Sequence, residues 1–518
     1  MLLGHLTRSA ALAALLATLP SLAPAALAQD VPRRPTPPSP VVTADVPAPA
    51  GPEVTVAEAV ARALDTSPEL ARAALARDGR ALAISAARAD RLPLVTAQVS
   101  PQQRYGLTFD NTIGDVTSQT TESLNAGVGA QVTLYDGGRR RARVAQARLE
   151  RDAAQADLAR AREQVALDVA QRFLQVLLDQ ELLTVQAERL AAAETQRARV
   201  SELLEAGAVP RGDLIAQDAV VARARTAVVE ARGAARRDRA ALVQAVGLDP
   251  LVDYAFVGPG AEALAALAGD AIRTPLAELL ARAQAQRSDR ARAALDLRAA
   301  QAGVGVARAA SRPRLDASAN LGTGYSSLQQ RLVDGSEPTL VPVTLADGSQ
   351  VFLGPDPLTF PVGGTDLERT PFGAQLSDNR SGSIALTLSV PLFDRFETRR
   401  ATEQARIASA DARFRLDALD RQIAAEVQQA VVEAETSAAR VTASQAEVAA
   451  AREALRVERD RYALGAGTLF TVAEAQTRLA EAQSGLAQAA YNLAFRRALV
   501  RLAVGDVDPG DLSAFVGL

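Results

Sequence analysis

Carboxylates and guanidinium groups are nearly all the side-chain chemistry this chain has to offer. Among its 518 residues there is no Cys, and the single His is His5, beside the N-terminus. That leaves no thiol nucleophile, Ser-His-Asp triad, zinc finger or imidazole metal site. The 57 strongly basic residues are all Arg, and with 60 acidic residues the net charge is −3, which argues against nucleic-acid binding. Glu426, Glu433 and Glu435 stand among Arg and Gln in a helical pattern and read as solvated charge on a surface or lumen. Asp136 and Asp394 each precede a helical run and read as N-caps. Arg139-Arg140-Arg141 and Arg399-Arg400 stand at helix starts, where the helix dipole disfavours positive charge. Contact with lipid headgroups and ordinary surface charge are both open for them. The pairs Gly127-x-Gly129 and Gly303-x-Gly305 lack the context of a nucleotide fingerprint and read as packing glycines. No catalytic constellation results, so neither an enzyme nor a bound cofactor or metal is expected.

The elements that carry these charges are unusual. Aromatic residues make up only 3% of the chain, against 48% apolar and 23% charged, which favours long helices packed side by side over several compact cores. Residues 1–28 have a processing signature: Arg8, an apolar run over 10–19, then Ala26-Leu27-Ala28 at the cleavage positions. Pro20 and Pro24 and the short apolar run argue against a membrane anchor. Residues 29–53 form a proline-rich linker, and no later stretch holds 18 uninterrupted apolar residues. An exported chain of this kind is periplasmic, secreted, or an outer-membrane β-barrel.

Beyond the linker the chain is internally duplicated. Residues 57–93 align without a gap onto 277–313, keeping Glu58/Glu278, Arg62/Arg282, Arg72/Arg292, Leu75/Leu295, Arg88/Arg308 and Pro93/Pro313. Later the offset grows from 220 to 258. Leu134-Tyr135-Asp136 then meets Leu392-Phe393-Asp394, Gly207 meets Gly465, and Gly247 meets Gly505. The change of offset locates an insertion between Pro313 and Asp394. The repeats are assigned to 54–247 and 274–505, with an inter-repeat linker at 248–273 and a tail at 506–518.

Each repeat reads as helix, helix, strand, strand, long helix, helix. Val95, Ala97 and Val99 alternate with Thr96, Gln98 and Ser100; Leu124 through Leu134 alternate with Asn125, Gly127, Gly129, Gln131 and Thr133. The second repeat does the same over Leu315–321 and over Ile384–392. Strands of ~10 residues with one apolar and one polar face suit a wall between lipid and water. An ordinary half-buried sheet has the same period. Four strands cannot close a barrel, so the barrel reading requires an oligomer.

Residues 139–206 and 398–464 hold neither Pro nor Gly, long enough for helices of roughly 100 Å. Val169, Val176, Leu183 and Leu190 recur every seven residues, as do Val427, Ala434, Val441, Val448, Leu455 and Tyr462 in the same register. That period implies supercoiling against neighbours. The helices end at Gly207-Ala208-Val209-Pro210 and Gly465-Ala466-Gly467-Thr468, with Gly in the usual helix-ending position. Asp213 and Thr468 can open the returning helices.

Taken together, the signal peptide, the duplicated unit, the Leu-Tyr/Phe-Asp strand exits and the Gly-containing tips resemble the TolC-type outer-membrane efflux channel family, over about residues 54–505. The resemblance implies a mainly helical protein with a β-barrel part, three chains forming a 12-strand β-barrel and a 12-helix tunnel. It further implies a passive duct for efflux or secretion, contacting outer-membrane lipid and reaching far into the periplasm. Its tips (Gly207, Ala208, Pro210, Gly465, Ala466, Gly467 and Thr468) would dock a periplasmic adaptor linked to an inner-membrane pump. Glu474 matches an acidic position that narrows the entrance in that family; Thr471 stands where a second acid is common, and Asp213 is the first-repeat candidate. Asp136, Arg139, Asp394 and Arg399 would mark the strand-to-helix junctions, and residues 326–380 an enlarged extracellular loop. The alternative is a periplasmic coiled-coil adaptor or structural protein without a pore; membrane-spanning strands discriminate against it.

Overall fold

The computed structural model describes residues 51–110, 115–269, 274–333, 342–344, 346, 350–352 and 366–506. The expected signal peptide, most of the proline-rich linker and the tail beyond Asp506 lie outside the described residues.

The first repeat runs β1 (Glu53–Val54), α1 (Val56–Thr66), α2 (Pro68–Ala89), β2 (Leu94–Asp110), β3 (Asp115–Tyr135), α3 (Arg139–Glu205) and α4 (Arg211–Val246). Next come β4 (Ala255–Phe256) and α5 (Ala261–Ala266). The second repeat holds α6 (Leu276–Gln286), α7 (Ser288–Arg308), β5 (Arg314–Ser326), β6 (Gln330–Val333), β7 (Pro342–Thr344), β8 (Gln350–Phe352), β9 (Asp366–Arg369), α8 (Phe372–Asp378), β10 (Ser381–Ser389), α9 (Glu397–Ala463) and α10 (Leu469–Val504). The two long helices, α3 and α9, are 67 residues each. The helix starts are written locally: Thr55 and Glu58 form a capping box on α1, and Ser67 caps α2 ahead of Pro68.

β2, β3, β5 and β10 form one antiparallel sheet in the order β10-β5-β3-β2. Register aligns the alternation across all four strands. Val128 lies between Ala97 and Leu321, while its neighbour Gly129 lies between Thr96 and Asn320. One face is therefore apolar, with Val95, Val99, Val128, Leu321, Ile384, Leu386 and Leu388 all exposed in the single chain. The other carries Thr, Asn, Ser, Gln and Gly. The last strand stops at Ser389, three residues short of the Leu392 expected from alternation. Pro391 follows within two residues, has no N–H for a ladder and restricts its predecessor.

The helices form a wall. Near the sheet α2 packs on α3, α3 on α7 and α7 on α9; farther away α4 packs on α3, α3 on α10 and α10 on α9. The seven-residue series points inward: Val169, Val176, Leu190, Val427, Ala434 and Val441 are all buried.

The largest apolar core sits at the waist, where α1, α3, α4 and α10 meet. The inter-repeat segment 248–273, read as a linker, supplies part of it. Phe256 stacks edge-on against Phe173 at 5.7 Å, and Leu264 is fully buried. The Tyr491 hydroxyl donates to the Pro259 carbonyl at 3.1 Å, and burial pushes its pKa up to about 12. β1 pairs in parallel with β4, so Glu53, assigned to the proline-rich linker, is already in a strand. These two-residue strands escaped sequence reading because a pairing that short has no period.

The insertion expected as a loop at 326–380 is also partly built. β6 pairs with β9 and β7 with β8, and α8 is tied to β5. Gln375 is buried; its Nε2 donates to the carbonyls of Ser326 and Thr370, and its Oε1 accepts from Ser326 N at 2.8 Å. Tyr325 and Phe372 stack edge-on at 5.0 Å. Residues 334–341 and 353–365 lie outside the described residues.

Candidate functional site

Both long helices end in the same hydrogen-bonded turn. Ala208 N donates to Leu203 O and Gly207 N to Leu204 O; Ala466 N donates to Arg461 O and Gly465 N to Tyr462 O, all at 2.8–3.0 Å. These are Schellman closures, and they require a left-handed residue at φ +73° (Gly207) and +74° (Gly465). A Cβ added at either glycine would meet nothing within 4 Å, so backbone conformation alone, without crowding, selects glycine there. Gly467 differs: its Cβ would lie 3.2 Å from Tyr462 N, so the second tip also needs closeness. Pro210 precedes α4 as N-cap without a side-chain bond, and Thr468 caps α10 by accepting from Thr471 N at 3.3 Å.

Asp213 lies in the first turn of α4, where its charge suits the helix dipole. Glu474 is exposed on α10, two turns from Gly465, and Arg478 bonds it at 2.6 Å. The Glu474 carboxylate therefore carries its own counter-charge, which sequence reading did not anticipate although the i,i+4 spacing was visible. Thr471 uses its hydroxyl on the Thr468 carbonyl.

The strand-to-helix junctions are built alike but stand on different residues. Asp136 and Asp394 act from two positions before the N-cap, where capping had been expected of them directly. Asp136 Oδ2 accepts from Arg140 N and Asp394 Oδ2 from Thr398 N, both at 2.8 Å. Hydrogen bonds from Thr398 hold the Asp394 carboxyl below its usual value. The caps themselves are left-handed: Gly137 and Gly138 in the first repeat, Arg395 (φ 54°) and Phe396 (φ 61°) in the second. Arg140 is committed structurally, bonding Asp136, the Asp90 carbonyl and the Leu134 carbonyl. Arg139 and Arg399 are both exposed; Arg399 stands beside Phe396 and Ile407.

Glu426 and Glu433, read as solvated, are half-exposed and each is ion-paired to an arginine outside its own helix. Glu426 bonds Arg287 at 2.7 Å and Glu433 bonds Arg496. Arg287 is only 3% exposed and also bonds Asp289 at 2.6 Å. Burial raises the Asp289 pKa, but the Arg287 guanidinium outweighs it and holds the carboxyl below its usual value. In the first repeat Glu163 and Asp179 of α3 are both buried, and Asp179 accepts from Gln175 at 3.0 Å. Burial and the neighbouring Asp238 carboxyl push the Asp179 pKa up to about 6. Sequence pattern gave no signal for these partners, because each bond joins charges on different helices or depends on which helix face is covered. Among the described residues no group of His, Cys, Asp and Glu is placed to hold a metal, and no helix is long and apolar enough to cross a membrane.

The family described as outer membrane efflux protein matches residues 59–248 and 279–506. Protein CyaE of Bordetella pertussis is 27% identical over 461 residues, covering 88% of this chain and 85% of the relative. Among solved structures, CusC superposes with a TM-score of 0.69 at 18% identity, covering 87% of this chain and 92% of CusC. The outer membrane protein VceC of Vibrio cholerae gives 0.65 at 18%, with 87% and 96% covered. The MtrE outer membrane channel of Neisseria gonorrhoeae gives 0.64 at 17%, with 87% and 88% covered. The fold shared with these channels is the combined α-barrel and β-barrel one, and neither it nor the family is that of an enzyme. The chain belongs to the outer membrane efflux protein family and serves as an outer-membrane channel for efflux or secretion, with a large periplasmic helical portion.

Proposed function

We propose that three copies of this chain close into one passive duct, its tips docking a periplasmic adaptor that couples it to an inner-membrane pump. The observation that carries the proposal is that sheet and helical wall are both open at their two sides. β2 and β10 are the free edges of the sheet. α2 and α9 bound the wall near it, with exposed Leu75 and Leu82 on α2 and Ile407 and Phe414 on α9. Farther down the edges are α4 and α9, exposing Ile215 and Val229 on the former and Val432 on the latter. Each open side offers unpaired backbone or apolar surface to the opposite side of another copy. Three four-stranded sheets joined head to tail give 12 strands, and the four-helix wall gives 12 helices at either level.

In that assembly the apolar sheet face meets outer-membrane lipid and the polar face lines the lumen. Gly207, Ala208 and Pro210 with Gly465, Ala466, Gly467 and Thr468 form the adaptor-docking rim, and Asp213 and Glu474 stand just inside it at the entrance. Residues 326–380 extend the extracellular mouth. The duct has no energy source of its own, so the pump supplies the work. The test is a heat-modifiable trimer in the outer-membrane fraction. A stable, soluble periplasmic monomer would overturn the proposal.

A further inference from the structure

At the first-repeat junction five guanidinium groups surround one cavity of about 380 Å³. Arg139, Arg140 and Arg143 come from the start of α3, Arg312 follows α7, and Arg314 opens β5; Asp90 and Asp136 supply the carboxylates. Three of the arginines are neutralised: Arg140 by Asp136 at 3.2 Å, Arg143 by Asp90 at 3.1 Å and Arg314 by Asp316 at 2.8 Å. The other two are not. Arg312 donates to the carbonyl of Gly137 at 2.8 Å, a neutral acceptor, and the Arg139 side chain has no hydrogen bond or ion pair among the described residues. Both excess charges sit at the positive end of the α3 dipole, which worsens their mutual repulsion. Helix stability therefore does not account for them.

Arg312 packs closely on the glycine turn. A Cβ on Gly137 would lie 2.6 Å from Arg312 Cβ, so the left-handed glycine lets Arg312 lie across the junction. Thr133 and Arg314 line the cavity, and both belong to the polar face of the sheet, in register with Asp316 and Gln131 rather than with Val132 and Leu315. The apolar face meets lipid, so the cavity opens toward the lumen. The second-repeat junction has Glu397, Thr398 and Ala401 where the first has Arg139, Arg140 and Arg143. A trimer would thus hold three such cavities, one per chain.

We propose that this cavity binds an oxyanion, a sulfate, phosphate or carboxylate group, on solutes passing through the duct. Guanidinium forks bind such groups by paired charge-assisted hydrogen bonds; Arg139 has that capacity unspent, and Arg312 has committed only Nη1, to the Gly137 carbonyl. The site would give the duct a station for anionic cargo. The inference rests on the trimeric duct proposed above, and a conducting channel is itself the control for that reading.

The experiment is single-channel recording of purified trimers in planar bilayers at low chloride, with sulfate added. The wild-type channel should show saturable block by sulfate. Arg139→Gln, which removes no structural bond, should raise the half-blocking concentration about tenfold, the usual scale for one charge-assisted contact. Arg141→Gln removes the same charge two residues away, outside the cavity lining, and should leave block unchanged. Equal weakening by both variants would show diffuse charge instead of a site and would overturn the proposal, as would absence of saturable block in a conducting wild-type channel. A second arm separates a lipid headgroup from a soluble anion: mass spectrometry of the purified trimer. Phospholipid retained by the wild type and lost in Arg139→Gln would assign the cavity to a headgroup and overturn the cargo reading; lipid content equal in both supports it.

Discussion

Replacing Gly465 or Gly207 by Val changes the tip and nothing else that the fold depends on. An added Cβ meets no heavy atom within 4 Å, so the first cost is conformational. Holding an L-residue in the left-handed region costs about 1–2 kcal/mol, more for a β-branched one. The turn can escape only by giving up its two closing bonds, Gly465 N to Tyr462 O and Ala466 N to Arg461 O, each worth about 1 kcal/mol. Strain and relief are comparable, so the tip changes shape by roughly one turn. The core beneath it, Leu455, Val472 and Ala475, keeps its contacts. Efflux or secretion by cells carrying the variant should therefore fall, while trimer yield in the outer membrane is unchanged. Asn tolerates the left-handed conformation, so activity should order Gly, Asn, Ala, Val from highest to lowest. Full activity of the Val variants at both tips would refute docking through these turns. Loss of the trimer together with activity would show that the glycines serve folding.

Glu474→Gln should reduce cation preference in bilayer recordings at low salt, and Arg478→Gln should increase it by freeing the carboxylate now bonded at 2.6 Å; unchanged selectivity in both would put this pair off the lumen. Removing residues 334–365 should leave trimer yield intact. Gln375→Ala should instead lower the heat stability of the trimer by about 1–3 kcal/mol, since it strands Ser326 and Thr370 backbone groups beside α8; a silent Gln375→Ala would mean that α8 does not brace the strand. Asp179 has a folded-state pKa of about 6 against an ordinary 3.8, so the native state retains a proton that the unfolded chain releases, and stability falls as pH rises through that window. Asp179→Asn should match the wild type in thermal unfolding near pH 4 and exceed it at pH 8; parallel pH profiles would refute the raised pKa.

What the sequence determined by itself are the features with a period or a copy. The seven-residue spacing from Val169 to Leu190 and from Val427 to Leu455 specified two long helices and the face each buries. The alternation around Val128 and Leu321 specified the strands and their apolar side, and the repeat at offset 258 aligned tips and junctions. Such signals are local, because helix and strand geometry convert spacing along the chain directly into direction in space. Only the tertiary structure decided the rest. Phe256 and Leu264 entered the core from a segment with no period, and Gln375 bound α8 to a strand 49 residues away. Arg312 arrived beside Gly137 across 175 residues, turning an Arg-rich helix start into a cavity with two unneutralised charges. A single side chain that meets its partner across such distances leaves no pattern in its own neighbourhood, since the pairing is fixed by how the two repeats pack together.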